Sequence, residues 1–281
     1  MGESLGRGRG RLPDTGNHPA SRESPPMHTT KLAASLLVLL ASVLGAAPTR
    51  AETVCTAITA LPAVITVQGV YCFTGDLSTA MGSGPAIDIQ TNNVTLDLNG
   101  FKLGGLAAGP GTTALGIRAI NRQNITIRNG TIRGFLVGIN LATIISASQG
   151  HVVEDIRADQ NTSLGIFVTA LNSIIRNNLV VATGGTTIYG TNADAAGISV
   201  HADGTRVLNN DVMDTMKQGT GTARGIEFVG GIAGGLAVNN RITVADRGIE
   251  YVGGATGKYR DNVTFGVTTP YTGGTDIGNN N

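Results

Sequence analysis

The 281 residues carry 20 Lys and Arg against 19 Asp and Glu, a formal net charge of +1, and only 14% of them are charged. No basic run interrupts the chain, which excludes nucleic acid and anionic membrane surfaces as partners. Tryptophan is absent and aromatics make up 4%, so the aromatic platforms that sugar-binding grooves usually present are scarce.

Residues 1–26 are polar, bear Arg and Pro, show no periodicity, and read as a disordered leader or a start placed too far upstream. From Met27 the pattern is that of a signal peptide over 27–51. Lys31 supplies the positive start, Leu32 to Leu44 the apolar core, and Thr49, Arg50 and Ala51 a small-x-small site just before Glu52. That apolar run is short for a bilayer span and no second one follows. The expectation is an exported protein, secreted or periplasmic, with no membrane span once the signal is cleaved. Setting aside six basic and three acidic residues before Glu52 leaves 14 Lys and Arg against 16 Asp and Glu. Cys55 and Cys72, 17 residues apart, are the only cysteines, and in an oxidising compartment a disulfide is their simplest state.

Between Ile87 and Asn262 one two-part phrase occurs seven times. Its first half is a small residue followed by isoleucine, with isoleucines at 87, 117, 139, 166, 198, 226 and 249. Its second half is a β-rich run anchored on Asn99, Asn129, Asp155, Asn177, Asn209, Asn239 and Asp261, 11 to 16 residues later. Successive isoleucines lie 22 to 32 residues apart, so a fixed core absorbs its variation in a loop, which is the signature of a solenoid. The runs are rich in Val, Ile and Thr and broken by Gly, Asn and Asp, and no helical period is sustained. Units this short must pair each strand with its equivalent in the next unit, giving an all-β, single-domain parallel β-helix over 86–270, of seven to eight coils. Alternation in GISVHA turns Ile198 and Val200 inward and Ser199 and His201 to solvent. Phe228 and Tyr251 fall inward by the same count. The Asn and Asp column belongs at a corner, each amide bonding turn backbone and the residue one coil away. Asp155 and Asp261 interrupt that column and are expected to be more exposed or differently bonded.

The runs NNVTLDLNGFKLGG and QNITIRNGTIRGF resemble the right-handed parallel β-helix repeat proteins of the pectate lyase-like superfamily, over roughly residues 55–270. The resemblance implies fold more than activity, because that superfamily holds lyases, hydrolases, epimerases and members without catalysis. It also implies that residues 52–85 form an N-terminal cap and entry strand held by the disulfide. Residues 271–281, polar and beyond Pro270, are expected to fray.

Catalysis in such proteins is placed in a lateral groove beside one parallel sheet. The outward column after each isoleucine reads Asp88, Arg118, Asn140, Phe167, Ser199, Glu227 and Glu250. Only the last three coils build a charged cluster: Glu227 stacked on Glu250, Arg224 on Arg247, and His201 one coil below. Two stacked carboxylates need a cation, a shared proton or nearby arginines. The cluster therefore offers a carbohydrate site, with an arginine on a uronate, or a Ca²⁺ site with Glu227 and Glu250 as ligands, or an acid/base pair. The simplest account is a duplicated RGIE unit whose charges neutralise one another in solvent. Asp194 and Asp203 flank the GISV strand as further candidate ligand-binding residues. That stretch is faintly similar to the polygalacturonase strand but lacks its Gly-His, and the chain has neither the Lys of that family's Arg-Ile-Lys nor its paired Asp. His151 lacks a second histidine and reads as a satisfied surface residue.

Three functions follow: a non-catalytic module binding polysaccharide or another cell-surface polymer, a small polysaccharide lyase or hydrolase acting on an acidic glycan, or a structural surface-interaction protein. No cofactor is required, although Ca²⁺ fits the acidic pair. Residues 183–197 and 215–225, the longest loops, fall beside the cluster, where a groove wall would stand.

Overall fold

The computed structural model describes residues 54–145 and 148–281, so the expected leader and signal peptide lie outside the described residues. Within them the chain is a right-handed parallel β-helix of about eight turns, and the one helical element is the short 3₁₀ turn Leu106–Ala108.

Three parallel sheets run the length of the solenoid. In the first, the Gly-Ile strands stack in register: Ile87 on Ile117, then Ile139, Ile166, Ile198, Ile226 and Ile249. All seven side chains are buried, so each coil contributes one branched apolar group to a continuous core. The residue before the isoleucine is small because neighbouring coils touch there. A Cβ added at Gly165 would stand 2.5 Å from the carbonyl oxygen of Gly197, and one at Gly225 2.8 Å from that of Gly248. The second sheet runs through Val94–Asp97, Ile174–Arg176, Arg206–Leu208, Gly235–Val238 and Gly257–Arg260. The third includes Leu179–Val181 and Asp211–Met213. In Ile125–Arg133 and Val152–Asp159 one continuous strand serves both sheets and turns the corner at Asn129 or Asp155.

The corners explain the Asn and Asp column. Asn99, Asn129, Asp155, Asn177, Asn209, Asn239 and Asp261 all adopt φ between 51° and 58°, a left-handed conformation that Asn and Asp tolerate better than other side-chain-bearing residues. Asp155 is no more exposed than its asparagine neighbours. Asp261 is partly buried and bonded to Asn279 and Arg260. The column is nevertheless not the buried ladder. In the last coils that role belongs to the next residue: Asn178, Asn210, Asn240 and Asn262 are buried. Each amide nitrogen donates to the Oδ1 of the Asn one coil on, at 2.9 to 3.0 Å, ending on Asn280. The outer column makes similar but solvent-facing bonds, such as Asn239 Nδ2 to Asn209 Oδ1 at 2.9 Å.

Both ends differ from expectation. Thr56–Ile58 is an entry strand paired with Gly69–Phe73, but residues 63–78, expected within the cap, form a full coil: Ala63–Ile65, Gly69–Phe73 and Leu77–Ser78 each pair with the next strand of their sheet. Cys55 and Cys72 form the disulfide, with Cα atoms 5.7 Å apart, joining the chain ahead of Thr56 to the strand Gly69–Phe73. The tail is not frayed. Thr275–Asp276 pairs with Lys258 and Tyr259, and the Thr264 N–H donates to the Asn281 carbonyl at 2.7 Å. At this end the core finishes in stacked rings, Phe228 on Tyr251 at 4.5 Å and Tyr259 on Tyr271 at 5.0 Å.

Candidate functional site

The strands Ala195–Val200, Ala223–Val229 and the second half of Arg241–Val252 carry the charged cluster on their outer face. Register places Ser199, Glu227 and Glu250 in one column and Ala196, Arg224 and Arg247 in the next, as the sequence predicts. The setting differs from solvent. Glu250 is 1% exposed, with Arg224 Nε donating to its Oε2 at 2.7 Å and Arg247 Nη1 bonded to its Oε1. Arg224 also donates through Nη1 to Asp194 at 2.9 Å and stands 3.4 Å from Glu227. One guanidinium thus gathers three carboxylates from three segments of chain. This is the arginine solution to the stacked-acid problem, buried at Glu250 and reaching the surface at Asp194.

Glu227 is the recessed acid. Burial raises its carboxyl above the usual range; the Ser199 hydroxyl and Arg224 pull it down less, and Asp194 pushes it further up. Ser199 Oγ donates to Glu227 Oε1 at 2.6 Å and lies 3.1 Å from His201 Nε2. With its one proton donated to Glu227 Oε1, the Ser199 oxygen is left to accept from an Nε2–H of the His201 imidazole. The serine sits between base and acid and is 1% exposed, contrary to its outward reading. A nucleophilic triad needs the histidine in the middle and the hydroxyl open to substrate, so this trio is a hydrogen-bond relay. His201 is exposed but packs its ring edge-on to Phe167 at 5.1 Å, and burial of its inner part lowers its pKa.

The loops complete the wall. Ala193 and Gln218 exchange backbone hydrogen bonds of 3.0 Å in both directions, tying the two long loops together. Thr220 N–H donates to Asn192 Oδ1 at 2.8 Å and Thr222 N–H to Asp194 Oδ1 at 2.8 Å. Burial works to raise Asp194, but the bonds from Arg224 and Thr222 outweigh it and hold that carboxyl below its ordinary range. Between loops and sheet lies a pocket of about 460 Å³, lined by Tyr189, Asn192, Asp194, His201, Arg224 and Glu227 among others.

Asp203 does not join it. Its carboxylate accepts from Ala233 N–H at 2.7 Å in a corner turn. His151 is not a surface residue but 1% exposed, accepting from Ile125 N–H on Nδ1 and meeting Ser148 Oγ through Nε2 at 2.7 Å. Tyr189, 58% exposed at the pocket rim, and Ser199 are functional candidates that were not among the expected site residues, although Ser199 stands in the outward column and Tyr189, one of the few aromatics, lies in the long 183–197 loop. Among the described residues no group of three or more His, Cys, Asp or Glu side chains is arranged to hold a metal ion. A cation between Glu227 and Glu250 would have to displace Arg224.

No protein-family model and no curated protein matches the chain. Among solved structures it is similar to the enzymatically active domain of bacteriophage CBA120 tailspike protein 2 (TM-score 0.48, 14% identity, 76% of this chain and 39% of that one). It is also similar to the Dettilon tailspike protein (0.44, 13%, 81% and 59%), and to an alginate lyase from Paenibacillus sp. strain FPU-7 (0.45, 14%, 75% and 85%). The chain thus spans about two fifths and three fifths of the two tailspike chains. Likeness of this size carries nothing about chemistry, and the fold rests on the strand register above.

Proposed function

We propose that this is an exported parallel β-helix that binds a polysaccharide or other surface polymer at the lateral pocket without transforming it. The observation that carries this reading is the composition of the rim: an exposed tyrosine ring beside a held carboxylate, an amide and an imidazole, over a pocket of about 460 Å³. Apolar ring and convergent polar groups are what a sugar requires. The carboxylates and arginines behind the rim are already bonded to one another, which favours a fixed recognition surface over a reacting pair. Binding through these groups needs no cofactor, and neither Ca²⁺ nor a chelator is expected to change it.

A hydrolase or lyase is the second reading, favoured by the raised carboxyl of Glu227 at the pocket wall. One experiment separates the two. The purified protein is titrated with a polysaccharide panel while reducing ends and unsaturated products are followed. Saturable binding without product, weakened about tenfold by Tyr189→Ala, supports the binding module. Product that disappears in Glu227→Gln would make it an enzyme with Glu227 as proton donor.

A further inference from the structure

We infer that the pocket is built for an uncharged glycan presenting two adjacent hydroxyls and turns polyuronates away; the inference rests on the pocket being a glycan site. The charges at the site decide the sign. Its cations are Arg224 and Arg247, and its anions are Asp194, Glu227 and Glu250. Arg224 spends Nε on Glu250 and Nη1 on Asp194, and Arg247 spends Nη1 on Glu250. Arg224 thus has two of its three nitrogens committed, and Arg247, tied to the buried Glu250, is not among the residues that line the pocket, so no open guanidinium fork faces its interior. Lys217, the next cation along the wall, is bonded to Asp246 at 3.1 Å. A uronate entering here meets the carboxylates of Asp194 and Glu227 with no surplus positive charge to receive it.

The same geometry suits hydroxyls. The Asp194 side chain is 61% exposed. Its Oδ1 holds the Thr222 N–H and its Oδ2 the Arg224 Nη1, both from behind. Each carboxylate oxygen accepts about two hydrogen bonds, so each keeps one acceptor site, and the pair is spaced to receive two neighbouring sugar hydroxyls. The two bonds that orient it also remove the entropic cost of ordering it on binding. Asn192, held at Oδ1 by Thr220 N–H, supplies amide donors on the same rim, and the Tyr189 ring offers an apolar face to the C–H side of the sugar.

The test compares uncharged polymers (dextran, galactomannan) with polyuronates (polygalacturonate, alginate) in equilibrium titrations of the purified protein at low and high salt. Binding of an uncharged polymer that is unchanged by salt, at least tenfold weaker in Asp194→Asn, and absent for polyuronates is the expected result. Tighter binding of a polyuronate, falling with salt, would overturn the inference while leaving the pocket a glycan site. Failure of both classes would remove the glycan site itself and the inference with it. The salt series on the unaltered protein needs no variant, so it stands even where Asp194→Asn does not fold.

Discussion

Single side chains in this protein do work that their neighbours of the same type do not. Asn209 and Asn210 adjoin in sequence, yet one is an exposed corner with φ of 55° and the other a buried member of the amide ladder. Asn210 receives the Asn178 backbone and side-chain N–H groups and gives its own to Ile175 and Asn240. Asn209→Gly keeps the left-handed corner and is expected to be nearly neutral, whereas Asn210→Gly strands buried donors and acceptors at a cost of about 3 kcal/mol. Denaturant titration of the two variants checks the contrast. His151 is the second case. Burial lowers its pKa from 6.5 to about 4, because both ring nitrogens are committed inside the corner as the neutral form. Its contribution is complete above the unfolded pKa and is lost as the pH falls from 6.5 toward 4, in all about 3 kcal/mol. The stability of the wild type should therefore drop more steeply with acidification in that window than that of His151→Gln, as read from unfolding midpoints at a series of pH values.

At the scale of an element, the Gly-Ile strand unites fold and site. Its isoleucine faces the core, its glycine lets coils touch, and the residue after the isoleucine builds the outer column. A Cβ at Gly197 would come within 2.4 Å of Val212 Cγ1 and 2.8 Å of the Gly225 carbonyl oxygen. Gly197→Ala is thus expected to cost about 3 kcal/mol by overpacking and to weaken glycan binding by shifting Ser199, two residues on. Thermal unfolding together with the same titration reads both. The other element that matters is the pair of long loops, joined by the bridge between Ala193 and Gln218. They convert a flat sheet face into a pocket.

At the largest scale the described residues form a stack in which each coil touches mainly the next, so damage should travel by neighbours. Ile226→Asp buries an unpaired charge between the coils of Ile198 and Ile249. Hydrogen exchange is expected to show lost protection there and in the pocket, with the coils of Ile87 and Ile117 still protected. Uniform loss along the chain would instead mean a single cooperative unit.

The repeat period, the inward isoleucines and the corner column were legible without coordinates, because a solenoid writes its architecture as local alternation and nearest-neighbour copies. The stacking of Glu227 on Glu250 followed from the same count. The ladder was misread by one residue: the doublets at 177–178, 209–210 and 239–240 carry two asparagines each, and sequence cannot say which of them turns inside. The burial of Glu250, the relay through Ser199 and the Tyr189 rim were decided by tertiary structure alone. Outward on a strand means exposed only while nothing covers the sheet, and here two loops and two arginines fold across it through contacts that no local pattern records.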